Sequence, residues 1–585
     1  MSNRDVIDFI DYDVDPNKWI QRLLAQISSG RYEPLAPFRF TIGKSNGFSR
    51  MMTQPMIPDL VLYRTIVDTI YIKALKKENK HVYFKRATLQ AAQNTAQQQA
   101  VHAMNWAMQY RMTNQRSFYN WLCYAQYRKH LLLQSVHPFL VVTDITNFFD
   151  SLLHSHVEES LRGLPVSPRL VGLLGFLLER LSMRHDYASS HGISLPVDEF
   201  DCSRTLAHLT LFGHDDTMVG VVGQDNYVRW MDDQNLGVAS KAAGLRALSE
   251  LGNSLSKLHL SPNSKKSKIL TLREARRHFH LDLNAMLDKA DAAAKSARTG
   301  KQRQLLSKQL RNIWSRAQPF EGVGEFDKVL RRLYRLAGYT NLRFLRRRAL
   351  HDVLAHPEIT DRVCDYMRCS GTVSEYLIWV NRVMLDQEQI YPDINVTLTE
   401  SLMRLEADRL QSRKIQAIAV GFLKGKINVP GAAICKALAP LLILRFGDRR
   451  SLPLLKRGFD DDTTVVSANL LRSSAIVYAS YGMTEFESVR KSASRRLLNH
   501  LADVVKLVER IRKFSDVPGR YKARLNLHYD SVSQMKYVDM RALTAARLLN
   551  LGTKPKVGKW VAQWKANTLK QSISAYDRRL VRRLI

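Results

Sequence analysis

The sequence predicts an α+β fold in its first half and an all-α region after it, and three observations carry this. Residues 136–270 alternate strand-like runs with helical segments. Beyond about 350 only helical periodicity remains, in Leu/Ala-rich stretches broken at Pro357, Gly371, Pro392, Pro430 and Gly447. At roughly 100–200 residues per domain, the 585-residue chain needs several domains, and 45% hydrophobic residues supply a core for each.

The elements follow in order. Arg39-Phe40-Thr41-Ile42 alternates, Gly43-Lys44-Ser45-Asn46-Gly47 makes a loop, and Phe48 to Thr53 returns, which predicts a basic hairpin. Residues 81–135 are Gln/Ala-rich and then aromatic (Phe118, Tyr119, Trp121, Tyr124, Tyr127), at the spacing of a helical core. Phe139-Leu140-Val141-Val142-Thr143 is a buried-strand run, and 168–183 is a helix. Val219–Val222 and Tyr227–Met231 read as two strands around Gly-Gln-Asp-Asn, with Gln234 to Val238 able to return beside the second. Residues 273–316 form a helical stretch with 11 Lys/Arg against 4 Asp/Glu. Residues 328–348 then carry eight bases and no acid, with Tyr334, Tyr339 and Phe344 interleaved. Such a run suggests a phosphate-tracking surface, in which Arg331, Arg332, Arg335, Arg346, Arg347 and Arg348 are the candidate nucleic-acid contacts. From 350 to 515 the pattern fits an array of paired helices without a clean period. The last 32 residues carry nine Lys/Arg against Asp577 alone.

With 88 Lys+Arg against 54 Asp+Glu the formal charge is +34, so a polyanion is expected as partner, nucleic acid first and an anionic membrane surface second. The best apolar run, Gly431–Phe446, is interrupted by Lys436 and too short to span a bilayer. The N-terminus has no apolar secretory stretch, and a cytoplasmic protein is expected. Cys123, Cys202, Cys364, Cys369 and Cys435 are scattered and read as reduced thiols. The early Asp11-Tyr-Asp13-Val-Asp15 resembles a calcium loop but has Pro16 and Arg22 where glycine and glutamate are required.

Two carboxylate sites stand out. Asp144 ends the apolar strand, opening Asp-Ile-Thr-Asn-Phe-Phe-Asp150, and Asp232-Asp233 follows the strand beginning at Tyr227, at a hairpin tip. Three carboxylates at adjacent strand ends repel one another unless cations neutralise them, and hard divalent ions with oxygen ligands do so. Two such ions are the arrangement of phosphoryl transfer. Asp215-Asp216 and Asp460-Asp461-Asp462 lack this context and read as turns or helix caps.

Asp144–Asp150 and Trp230-Met-Asp-Asp233 resemble motifs A and C of the reverse transcriptase palm. Arg39 through Lys44-Ser-Asn-Gly47 to Arg50, with Pro55 and Asp59, resembles the fingers pattern of prokaryotic reverse transcriptases. Leu195-Pro196-Val197 with Ser203-Arg204-Thr205-Leu206-Ala207 resembles motif B of the abortive-infection and defence-associated group, and Leu258-His-Leu-Ser-Pro with Lys266-Ser-Lys-Ile269 resembles motif D. The resemblance covers about residues 30–270. The helical remainder, including Ala349 to Pro357, is similar to the α-helical repeat domain of the same group.

That resemblance implies a right-hand polymerase with fingers at 1–135, palm at 136–270 and basic helical thumb at 271–325, then a helical-repeat domain at 326–585. Asp144, Asp232 and Asp233 would bind two Mg²⁺ ions, Mn²⁺ being the alternative, with the Ile145 carbonyl completing a site. Phe149 would exclude a ribose 2′-OH, Lys44 and Arg50 would hold the triphosphate, and Lys266 would act as general acid. Motif B departs from the family pattern: where relatives have a Gly-containing turn, Pro196-Val197 is followed by Asp198-Glu199-Phe200-Asp201. Acids beside a template strand suggest restricted templating, by a dedicated RNA or by protein groups, and Pro196, Asp198, Glu199, Ser203 and Arg204 form the template-side loop.

The implied activity is antiphage RNA-directed DNA synthesis from deoxynucleotides, primed by a nucleic-acid 3′ end or a protein hydroxyl. RNA and DNA, possible homo-oligomers or a companion defence protein, and no membrane are the expected partners. An intron or retroelement enzyme copying its own RNA is one alternative, and an inactive nucleic-acid-binding scaffold another. An RNA polymerase on the same palm is disfavoured by Phe149.

Overall fold

The computed structural model describes residues 16–44, 47–74, 78–79, 81–83, 124–125, 128–129, 137–182, 192–197, 201–297, 299–447, 477–480, 484, 509–510, 513, 528–529, 536–552, 554–571 and 573–585. By their internal contacts these fall into two units. One comprises residues 18–40 and 51–281, and the other 16–17, 41–50 and 282–585.

The first unit is α+β. Its centre is a five-stranded sheet in the order β3 (Val82–Tyr83), β5 (Tyr227–Trp230), β6 (Asp233–Val238), β4 (Phe139–Thr143), β7 (Lys268–Thr271). β4 is the run of bulky and β-branched residues expected from sequence, and antiparallel partners on both sides use its backbone groups. β5 and β6 form the expected hairpin, Trp230 pairing with Asp233 across the two-residue turn Met231-Asp232. Helix α1 (Ile57–Ala74) packs against α4 (Cys202–Thr210), and α6 (Lys241–Ser256) covers the sheet. Gly244 lets α6 approach closely, because a Cβ there would sit 3.1 Å from Ile269. The hairpin expected at 39–53 is present as β1 (Phe38–Gly43) and β2 (Ser49–Gln54).

Two expectations are corrected here. Val219–Val222 is not a strand but the end of α5 (Phe212–Val222), closed by Gly223 at φ 86°. Burial at Leu211, His214, Asp215 and Met218 follows the helical period, so the valines fall on its less buried faces. Asp215 is neither a turn residue nor a cap. It lies in the first turn of α5, fully buried and ion-paired with Arg229. Of the aromatic run at 118–127 only Tyr124 lies among the described residues. It is core, its ring centroid 5.6 Å from that of Trp230. Asp460–Asp462 lie outside the described residues.

The second unit is a succession of helices around one apolar core. They include α8 (Leu281–Ser296), α9 (Gly300–Ala317), α10 (Phe326–Tyr339), α11 (Ala349–Ala355), α12 (Thr360–Cys369), α13 (Val373–Met384), α14 (Pro392–Leu402), α15 (Arg409–Leu423), α16 (Ala432–Phe446) and the C-terminal α17 (Met540–Asn550) to α19 (Ala575–Leu584). Thr299, Thr372 and Asp408 open α9, α13 and α15 with reciprocal capping boxes, which satisfy orphan amide groups at each start. No described helix is long and apolar enough to cross a membrane. Among the described residues Cys202, Cys364, Cys369 and Cys435 form no disulfide, and burial pushes the Cys364 and Cys435 thiols up to about 12.

Candidate active site

The site is built at the ends of β4, β5 and β6. The register of β4 on β6 pairs Thr143 with Gln234, so the chain leaves β4 at Asp144 beside the residue preceding Gln234, which is Asp233. Asp144 is 7% exposed, and its Oδ1 is buried without a hydrogen-bond partner. Its Oδ2 accepts from Lys266 Nζ at 2.6 Å. Burial would lower the Lys266 pKa, but the Asp144 hydrogen bond and the charges of Asp144, Asp233 and Asp232 outweigh it and hold the ammonium above its ordinary value. Lys266 thus lies within electrostatic reach of all three carboxylates, in contact with that of Asp144.

The segment before β7 is stitched to the exit of β4, and this explains the position of Lys266. Asn263 N–H donates to the Asp144 carbonyl at 2.8 Å, Thr146 N–H to the Ser261 carbonyl at 2.9 Å, and Ile145 bridges Pro262. Thr143 and Ser267 share a hydroxyl hydrogen bond of 2.6 Å. Sequence reasoning missed Asn263, and it met Ser267 only as part of the motif around Lys266, with no role assigned. Ile145 is buried, and so is Phe149, whose ring centroid is 5.4 Å from that of Phe148. The carbonyl of Phe149 accepts from Leu195 N–H at 2.8 Å.

That last bond brings Leu195-Pro196-Val197 to the site. The Val197 carbonyl takes Thr53 N–H at 2.9 Å, and Ser203 Oγ donates to the Pro196 carbonyl and meets Tyr63 Oη at 3.0 Å. Asp198 and Glu199 lie outside the described residues. Asp201 is buried and paired with Arg204, so two of the charges assigned to this loop neutralise each other. Asp59 is a buried anchor, accepting from Tyr32 Oη at 2.7 Å and Leu35 N–H at 2.9 Å.

Lys44 and Arg50 belong to the tip of the β1–β2 hairpin, which is part of the helical unit. Lys44 N–H donates to the Phe48 carbonyl at 2.7 Å; Gly43 N–H donates to Asp393 Oδ1 at 2.9 Å and Gly47 N–H to Tyr391 Oη at 2.7 Å. The Gly43 contact requires glycine, because a Cβ would lie 2.6 Å from Tyr391 Cδ1 and 2.9 Å from Pro357 Cβ.

The arginines of 328–348 are mostly engaged within the protein. Arg331 binds Asp361 at 2.9 Å, Arg332 binds Asp288 at 2.6 Å, Arg335 binds Asp291 at 2.7 Å, and Arg346 lies 3.5 Å from Glu375. Arg348 bridges Glu321 and Asp352, each at 2.6 Å, and lies 4.4 Å from the Trp314 ring centroid. Arg347 is exposed, and no carboxylate is paired with it among the described residues. The interleaved aromatics are core: Tyr334 is fully buried, and Tyr339 and Phe344 pack on the same cluster.

A divalent cation suits the carboxylate site. The donors are hard oxygens, and Asp144 Oδ1 is buried and unpartnered while Lys266 occupies Oδ2. No protein-family model matches the chain, and no curated protein sequence does. Among solved structures the chain is similar to a telomerase from Candida albicans in complex with a TWJ fragment of telomeric RNA. That match has 10% identity over 66% of this chain and 69% of that one, with a TM-score of 0.26, a likeness too weak to carry an argument.

Proposed function

We propose that the protein is an RNA-directed DNA polymerase that adds deoxynucleotides to a hydroxyl, with 136–270 as its palm. The observation that carries this is the placement of Asp144 beside Asp233 at neighbouring strand ends, with Lys266 on one Asp144 oxygen and Oδ1 left without a partner. Asp144, Asp232 and Asp233 would hold two Mg²⁺ ions, which would supply charge to activate the attacking hydroxyl and to stabilise the leaving pyrophosphate.

The other roles belong to the chain's own groups. Lys266, with its proton held firmly at neutral pH, donates to the departing pyrophosphate. Phe149 closes the space a ribose 2′-OH would need, and its packing on Phe148 keeps it from yielding. The assignment of Lys44 and Arg50 to the triphosphate, as a point charge and a forked donor, rests on the motif resemblance alone. A dedicated RNA template and an antiphage role rest on the motif resemblance alone.

The test is to purify the full chain with whatever nucleic acid remains bound and supply labelled deoxynucleotides with Mg²⁺. Wild type is expected to incorporate label and an Asp232→Ala, Asp233→Ala variant to lose it. Undiminished incorporation by that variant overturns the proposal, as does none by wild type.

A further inference from the structure

Beneath the Met231-Asp232 turn lies a charged pair that the chemistry above does not use. Strand periodicity puts Tyr227 and Arg229 on one face of β5, the face toward α5. There Arg229 is 0% exposed, and so is Asp215 of α5. Arg229 Nε donates to Asp215 Oδ1 at 2.6 Å, its Nη2 donates to the other carboxylate oxygen, and Tyr227 Oη donates to Oδ1 at 2.8 Å. The remaining arm of the guanidinium, Nη1, donates to the backbone carbonyl of Met231 at 2.9 Å.

Met231 takes φ 55°, a conformation in which an L-residue is strained by about 1–2 kcal/mol. It is the first residue of a hairpin connection where glycine is usual. A buried ion pair is also a poor way to fill a core, because two apolar side chains of similar volume often serve stability as well or better. What an apolar pair cannot do is donate to the Met231 carbonyl and hold that turn against its strain.

We propose that Arg229, anchored by Asp215, is the positioning residue of the Asp232–Asp233 turn, fixing the orientation in which both carboxylates receive divalent ions. This rests on the polymerase reading. Arg229 is fully buried, with no surface open to substrate or ion, and it acts through the Met231 carbonyl, one bond from Asp232.

The experiment uses full-length wild type, Arg229→Lys, and the double variant Arg229→Met/Asp215→Leu, which leaves neither charge buried alone. Mn²⁺ binding is followed by the EPR signal of the free ion, and incorporation of labelled deoxynucleotide gives kcat and KM. The Asp232→Ala/Asp233→Ala variant defines zero Mn²⁺ binding. The double variant is expected to keep its thermal midpoint within about 5 °C. It should bind Mn²⁺ about tenfold more weakly and lose about tenfold in kcat, with KM for the nucleotide unchanged. A folded double variant within about twofold of wild type in both readouts overturns the inference and leaves the polymerase reading standing. If the double variant does not fold, Arg229→Lys decides by the same readouts, since lysine cannot reach Asp215 and the Met231 carbonyl together. A wild type that neither binds Mn²⁺ nor incorporates nucleotide overturns the polymerase reading and this inference with it.

Discussion

At the residue scale, Lys266 decides the local electrostatics. Its ammonium compensates a buried carboxylate while its side chain stays 69% exposed, so the pair is close yet well solvated on one side. Such a pair contributes at most about 1 kcal/mol to stability. Lys266→Gln should therefore leave the thermal midpoint nearly unchanged. If Lys266 is the proton donor, incorporation should fall by roughly 10²–10⁴-fold; single-turnover rates at saturating nucleotide measure this, and a loss below about tenfold would remove it from the chemistry. Asp215 is the contrasting case. With Arg229 it has no access to water, and removing one partner alone costs about 3–5 kcal/mol. The adjacent acids Asp215 and Asp216 look alike in the sequence; only burial separates the ion-paired member from the exposed one.

At the element scale, α10 shows how an acid-free run is neutralised. Its apolar residues Phe326, Val329, Leu330, Leu333 and Ala337 recur at helical spacing and enter the core, and its arginines reach acids on α8 and α12. Those acids are remote in sequence: Asp288 lies 44 residues from Arg332. A count within 328–348 registers the charge and misses its partners. The paired and unpaired arginines should then separate in a salt titration of RNA binding. Arg347→Ala is expected to reduce the slope of log affinity against log salt by about 0.7 for a single strand, and Arg335→Ala by clearly less. Equal reductions would mean that the Arg335–Asp291 pair opens when RNA binds. The helix ending at Val222 carries a related lesson, since β-branched residues favour strands only when packing supplies a sheet to join.

At the scale of the whole molecule, the +34 charge predicts that binding to any polyanion weakens steeply with salt, while folding stability depends on pH through buried histidines. Burial is the main cause that holds His154, His208 and His214 below the ordinary imidazole value of 6.5, outweighing the hydrogen bonds and carboxylates that oppose it. The unfolded chain therefore binds protons that the folded chain does not. Stability is full above about pH 6.5 and is lost as pH falls through that value toward the folded pKa values. Thermal unfolding at pH 7.5 and 5.5 should show the midpoint falling by several degrees. An equal midpoint at the two pH values would show that these imidazoles are not held neutral.

The apolar β4, the hairpin carrying Asp232 and Asp233, and the helical second half were legible from the sequence because each rests on local periodicity or a short turn. Convergence required the tertiary structure. The register of β4 on β6 places Asp144 near Asp233, and the loop at 261–267 brings Lys266 across 122 residues to its carboxylate. The tip of the β1–β2 hairpin meets Tyr391 and Asp393, more than 340 residues away in sequence. Hydrogen bonds and ion pairs depend on distance in space, whereas periodicity depends on distance along the chain. The sequence by itself therefore determined which groups were available, and only folding decided which were spent on one another.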